Sequence, residues 1–132
     1  MSQENVESMR GVIDAFNRRD VEALSALLAP DVEIVPIRAA LEDIAYRGPD
    51  AASQWFAAVD EAWENLTVEH QEMRDAGGVV LARGRVRSHG RGSGAAIDVE
   101  GTAVAWFRDG LIQTMRIFTD RDRALEAAGL SE

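Results

Sequence analysis

The sequence predicts an α+β domain, with helices segregated to one face of a curved antiparallel sheet. Three observations lead there. Apolar residues in the first half recur at helical spacing, whereas from Thr67 onward they alternate as in strands. The helical runs largely precede the strand runs instead of interleaving with them, which argues against a parallel α/β sheet. No repeat or linker interrupts the 132 residues, so one domain over 1–132 is expected, long enough to bury a core.

Taken in order, Val6, Met9, Ile13 and Phe16 mark a first helix, with Ser2 as N-cap and acidic residues in its first turn. Asp20 caps a short second helix carrying Val21, Leu24, Leu27 and Leu28, which Pro30 stops. A short strand follows over Asp31 to Ile37, with Pro36 closing it. The segment Arg38 to Arg47 mixes Leu41, Ile44 and Tyr46 with Glu42 and Asp43, and admits a loop, a helical turn or a lid. Gly48-Pro49 opens a third helix, with proline where a missing N–H costs nothing. That helix extends to about Asn65 and carries Trp55, Phe56, Val59, Ala62, Trp63 and Leu66. Strands are expected at 67–75, 79–89, 96–107 and 111–118. Thr119 with Asp122 resembles a capping box for a last helix ended by Gly129.

The central hairpin is the most informative stretch. Val79, Leu81, Arg83, Arg85 and Arg87 alternate with Val80, Ala82, Gly84, Val86 and Ser88. Beyond the Gly90–Gly94 bend, Asp98, Glu100, Thr102, Val104 and Trp106 alternate with Ile97, Val99, Gly101, Ala103, Ala105 and Phe107. If His89 faces Ala96, Arg87 meets Asp98 and Arg85 meets Glu100, both favourable cross-strand pairs. The other face is small and uncharged. It suits either a closely packed core or the wall of an apolar pocket, and the pocket is the expectation adopted here. The turn from Phe107 to Leu111 leaves two registers. A three-residue loop with a bulge turns Leu111, Gln113, Met115, Ile117 and Thr119 inward. A two-residue Asp-Gly turn instead sends in Ile112, Thr114, Arg116, Phe118 and Asp120.

Composition narrows the function classes. A net charge of −9 argues against nucleic acid, whose affinity comes from basic residues on phosphates. The absence of cysteine removes disulfide and thiolate chemistry, and the absence of lysine removes Schiff-base chemistry. Arginine as the sole cation, with abundant Ala, Gly and Val, points to a G+C-rich bacterial genome. The first residues show no secretory pattern and no uncharged stretch is long enough to span a bilayer, so a cytoplasmic protein is expected.

Four stretches carry a family resemblance: Phe16-Asn17-Arg18-Arg19-Asp20, Leu28-Ala29-Pro30-Asp31-Val32, Tyr46-Arg47-Gly48-Pro49, and Asp109-Gly110-Leu111-Ile112 through Phe118. In this order the chain resembles the nuclear transport factor 2-like superfamily, which includes ketosteroid isomerases, SnoaL-like polyketide cyclases and limonene-epoxide hydrolases. The resemblance implies a cone-shaped, cystatin-like fold, its curved sheet wrapped around the N-terminal helices. It also favours the register that turns Met115 and Ile117 inward, and implies a homodimer paired through the outer sheet face. The catalytic sets of these enzymes do not carry over. The isomerase base falls at Val35, before Pro36; their tyrosine falls near Val12, and their second acid near Thr102 or Ala103. The cyclase aspartate falls on Ile117, and the hydrolase Arg–Asp pair near Gly84 and Val86.

The ligand wall expected from these readings comprises Ile13, Phe16, Trp55, Val59, Val86, Val99, Ala103, Met115 and Ile117. Candidate acid/base groups are Tyr46 and Asp43, bordering the cone's mouth with Arg38 and Glu42, and His70, alternating with Glu72 on one strand face. The Val68-His70-Glu72-Arg74 pattern equally suits a half-exposed face. Asp14 and Asn17 flank the first helix's apolar stripe. No metal-ligand spacing or nucleophilic triad occurs, and no cofactor is expected. Outside, Leu81, Val104 and Trp106 beside Arg83 and Arg85 compose an apolar centre with a charged rim, the makeup of a homodimer contact, unless a helix or tail of the same chain covers it. The expected function is binding of a small apolar molecule; the alternative is an isomerase- or cyclase-like enzyme acting on an apolar carbonyl compound.

Overall fold

The alternating hairpin sets the frame of the molecule, and its register is the one that cross-strand charge pairing predicts. His89 pairs with Ala96, Arg87 with Asp98, and Arg85 with Glu100. The computed structural model describes residues 2–36, 44–90, 92 and 94–130, with the side chains of Ser2, His70, Gln71 and His89 outside the described set. The described elements are α1 (Ser2–Arg18), α2 (Val21–Ser25), β1 (Leu28–Val35), β2 (Tyr46–Arg47), α3 (Ala51–Ala62), β3 (Trp63–Asp75), β4 (Val79–Gly90), β5 (Ala96–Arg108), β6 (Leu111–Phe118) and α4 (Arg121–Ala127). The strands form one curled mixed sheet, ordered β2-β1-β6-β5-β4-β3, in which only β1 and β6 run parallel.

Helices α1 and α3 cover the inner face. Met9, Val12 and Phe16 recur at intervals of three and four on α1 and are buried with Trp55 and Phe56 of α3 against Val80, Ala105 and Met115 of the sheet. The Asp20 side chain accepts from Ala23 N and caps α2; that hydrogen bond, reinforced by Arg18, lowers its pKa. Beyond α1, Asn17 Nδ2 donates to Val68 O and Asn17 Oδ1 accepts from Val68 N, both at 2.9 Å. This side chain occupies part of the free edge of β3, the last strand of the sheet.

Several boundaries differ from expectation. The second helix ends at Ser25, so Leu28, Ala29 and Pro30 open β1 instead of closing α2. Leu28 pairs with Ile112, and the ladder then slips before Glu33; Pro30, lacking an N–H, lies within that irregular stretch. The third helix ends at Ala62, because Trp63 turns extended and pairs with Gly90. Asn65, at φ 50°, lies where the β3 register shifts between Glu64 and Thr67. Part of the segment left unassigned becomes β2, held to β1 by Glu33↔Arg47 pairing and their 2.7 Å ion pair. Asp120, not Thr119, caps the last helix, accepting from Asp122 N and Arg123 N.

The β5–β6 turn combines both registers considered. Arg108 pairs with Leu111, so Asp109 (φ 54°) and Gly110 (φ 80°) form a two-residue turn and bring Ile112 into the core. Trp106 then pairs with Thr114, which leaves Gln113 as an extra residue. That bulge exchanges the faces, so Met115 and Ile117 point inward opposite Ala105 and Ala103. The expected three-residue loop is therefore replaced by a tighter turn followed by a bulge.

Arg19 knits these layers together. It stands at φ 54° just past α1, with Nε on Asp60 Oδ1 at 2.9 Å, Nη1 on Phe16 O and Nη2 on Leu66 O at 2.8 Å. Its guanidinium also lies 4.4 Å from the centre of the Phe16 ring. Arg19→Ala is expected to lower stability by about 2–3 kcal/mol in urea unfolding, because charged hydrogen bonds and a cation–π contact are lost together. A loss under about 0.5 kcal/mol, typical of an unremarkable surface substitution, would show that the clamp contributes nothing.

Candidate functional site

Small side chains on a curved sheet leave space that bulky helix residues do not fill. Ala82, Gly84 and Val86 of β4 with Ile97, Gly101 and Ala103 of β5 line one side of a hollow of about 400 Å³. Facing them are Met9, Val12, Ile13 and Phe16 of α1, and Trp55, Ala58, Val59 and Ala62 of α3. Trp63, Leu66 and Val68 of β3 complete the wall, with Pro36, Tyr46, Met115 and Ile117. The hollow is partly open to the surface, and Tyr46, Val59, Trp63, Ile97 and Ile117 around it are half-buried.

The helices are held above the sheet by their own aromatic rings. Phe16 lies 4.9 Å from Trp55 and 5.7 Å from Phe56, the latter edge-on. These rings meet at tilted and edge-on angles between α1 and α3, and Phe16 and Trp55 form part of the cavity wall. Gly84 answers a different need. A Cβ there would stand 2.9 Å from Val68 Cγ1 and 3.0 Å from Glu69 O, so glycine permits the close approach of β3.

Most of the expected wall residues line the hollow: Ile13, Phe16, Trp55, Val59, Val86, Ala103, Met115 and Ile117. Val99 does not; it is partly buried opposite Val86 and packs on the core beside the hollow. Met9, Val12, Ala58, Ala62, Trp63, Leu66 and Val68 also line it and lie outside the expected wall. The periodicity that makes Trp63 helical and the alternation that groups Val68 with Glu72 and Arg74 both point away from the wall. The β3 ladder shifts between His70 and Glu72, a local change that simple alternation does not reveal. Val68 pairs with Val86 on the inner face, whereas Glu72 and Arg74 pair with Arg83 and Leu81 on the outer one. The expected single face for Val68, Glu72 and Arg74 is therefore corrected. Position 70 is in register with Gly84, and the His70 side chain lies outside the described residues.

Tyr46, held on β2 opposite Ile34, contributes its side chain to the wall. Arg38, Glu42 and Asp43 lie outside the described residues. Asp14 is engaged with Arg18 at 2.8 Å, and Asn17 with β3, so neither is among the described lining residues. The polar side-chain groups of the described lining are the Tyr46 hydroxyl and the indole N–H groups of Trp55 and Trp63. No described lining residue carries a carboxylate, imidazole or guanidinium, and no described acidic or histidine cluster could hold a metal. Such walls penalise a charged guest and favour a neutral one with few hydrogen-bonding groups.

The outer face is electrostatically opposite. Arg85 reaches Asp98 at 2.6 Å and Arg83 reaches Glu100 at 3.0 Å, each one rung diagonal to its Cα partner. The Arg85 hydrogen bond, with the Arg87 charge nearby, holds the Asp98 carboxyl below the usual range; Arg108 does the same for Asp31. The apolar strip expected to lie open is largely covered within the chain. Ala124 and Leu125 of α4 bury Leu81 and Val104, while Val79, Trp106 and Phe118 pack around them. The helix ends in a Schellman arrangement, with Gly129 N on Glu126 O and Leu130 N on Leu125 O, which brings Leu130 onto the same strip.

The family model described as SnoaL-like domain matches residues 9–115. No curated protein matches the chain. An NTF2-like protein of unknown function from Burkholderia pseudomallei is similar at a TM-score of 0.79 and 21% identity, over 93% of this chain and 95% of that one. A ketosteroid isomerase-like fold from Catenulispora acidiphila, in complex with trimethylamine, gives 0.76 and 22%, over 95% and 94%. A candidate SnoaL-like polyketide cyclase from Jannaschia gives 0.77 and 20%, over 99% and 95%. At these identities the likeness establishes the fold.

Proposed function

This chain belongs to the SnoaL-like domain family, and from that premise we propose that its cone binds a small, neutral, predominantly apolar molecule. The observation that carries the reading is the hollow of about 400 Å³, whose described wall offers one hydroxyl and two indoles amid aliphatic and aromatic carbon. The Tyr46 hydroxyl would orient the guest by donating to an acceptor, while Trp55 and Phe16 would contribute ring carbon to the wall.

A neutral fluorescent probe, N-phenyl-1-naphthylamine, tests this directly. It should brighten on entering the cone and saturate with a Kd on the order of micromolar. Ala103→Trp should weaken uptake by at least about tenfold, since the new ring occupies the hollow. Cooperative unfolding should persist in that variant. Unchanged probe uptake would refute the site, and collapse of the fold would show a packed core at Ala103.

A second reading, an isomerase- or cyclase-like enzyme acting on an apolar carbonyl compound, is favoured by the presence of Tyr46 on the wall. In it Tyr46 would donate to the substrate carbonyl, with His70 or Asp43 as the proton-transferring partner. Isomerisation of a β,γ-unsaturated ketone across pH discriminates the readings. The binding reading expects no rate above buffer. A rate that falls at least about a hundredfold in Tyr46→Phe or His70→Ala would establish the enzymatic one.

Pairing of two copies through the outer sheet face forms part of the same proposal. It is supported by half-buried Trp106 and by adjacent rows of arginine and carboxylate, which suit a self-complementary contact. With Leu81 and Val104 covered by α4, the contact would be made by the charged rows and Trp106. Trp106→Glu should shift sedimentation from dimer to monomer; an identical sedimentation coefficient would dismiss this contact.

A further inference from the structure

A second, far smaller concavity of about 30 Å³ lies on the outer side of the sheet, where β3, β4 and β5 meet α4. Its polar wall is Glu72 and Arg74 of β3, Arg83 of β4, Thr102 of β5 and Arg121 of α4. Three guanidinium groups and one carboxylate thus line it, and the carboxylate of Glu100, ion-paired with Arg83, lies alongside.

Arg83 stands at its centre. Its Nη1 donates to Glu100 Oε2 at 3.0 Å, while Glu72 Oε1 is 3.6 Å from Nε, beyond hydrogen-bonding reach. The Nε atom is shielded from solvent and has no hydrogen-bond partner among the described residues. A shielded donor on a charged group calls for an acceptor. Thr102, only 5% exposed, lines the same niche with its hydroxyl-bearing side chain.

We propose that this niche binds a carboxylate group, which accepts from Arg83 Nε and is flanked by the Arg74 and Arg121 guanidiniums. The size supports this choice. A volume of about 30 Å³ admits roughly two water-sized centres, room for the two oxygens of a carboxylate. The carboxylate has two sources: a small free anion, or an aspartate or glutamate side chain of a second copy of this chain.

Nitrogen-15 NMR of the arginine Nε–H groups in the full chain tests the site. Sodium acetate is titrated against sodium chloride at matched ionic strength, and protein concentration is varied separately without acetate. The Arg83 Nε–H resonance should move saturably with acetate and not with chloride, which identifies a free carboxylate as occupant. A saturable move with protein concentration alone instead identifies the second copy's side chain, and equally supports the niche. Arg74→Gln and Arg121→Gln, both at exposed positions, should weaken the effect by about threefold to tenfold. No movement in either series, or a non-saturating drift unchanged in Arg121→Gln, would mean a water or an adventitious ion only, and would overturn the proposal.

Discussion

The shape of the interior depends on one guanidinium and the rings beneath it. Arg19 ties the carbonyl end of α1 to Asp60 of α3 and to Leu66 O of β3, so three elements meet at a single planar group. The fork geometry of arginine suits this role, because its donors point in fixed directions. Below it, Phe16 contacts both Trp55 and Phe56, and the two helices are fixed relative to each other. Held this way, α1 and α3 pack on the sheet through Met9, Val12, Trp55 and Phe56 and line the hollow over its Gly/Ala-rich part.

The hollow bears on stability as well as on binding. On the mutational scale of about 24 cal/mol per Å³, an empty sealed void of about 400 Å³ would cost about 10 kcal/mol, comparable to the whole stability of a domain. Partial opening to the surface lowers that figure, since water can enter, but water meets few polar partners on this wall. A neutral guest would replace poorly bonded water with dispersion contacts along aliphatic and aromatic side chains. Binding and stability are thereby linked through the same residues.

The two faces of the sheet divide the work. Inside, alternation places small apolar residues against the helices. Outside, the same alternation places arginine beside aspartate and glutamate, and α4 closes the apolar end of that face over Leu81 and Val104. The right-handed twist of the strands accounts for the diagonal reach of Arg83 and Arg85 to their carboxylates. Covered at one end and charged at the other, the outer face exposes little contiguous apolar surface. The Arg83 niche lies at the junction of these two regions.

Local pattern by itself determined the helix–strand order, the hairpin register and the composition of both sheet faces, because period and cross-strand charge pairing are properties of neighbouring residues. It likewise pointed to the small residues of the inner sheet face that line the hollow, such as Ala82, Gly84 and Ala103. What it left open depended on interactions across the fold. Trp63 leaves the helix because Gly90 is there to pair with it, and Leu28 to Pro30 become strand because β6 lies alongside. The bulges at Gln113 and between His70 and Glu72 reverse faces in mid-strand, bringing Met115 inward and sending Glu72 outward. Only tertiary structure decides such slips, since an extra residue in one strand is defined by the partner it fails to meet.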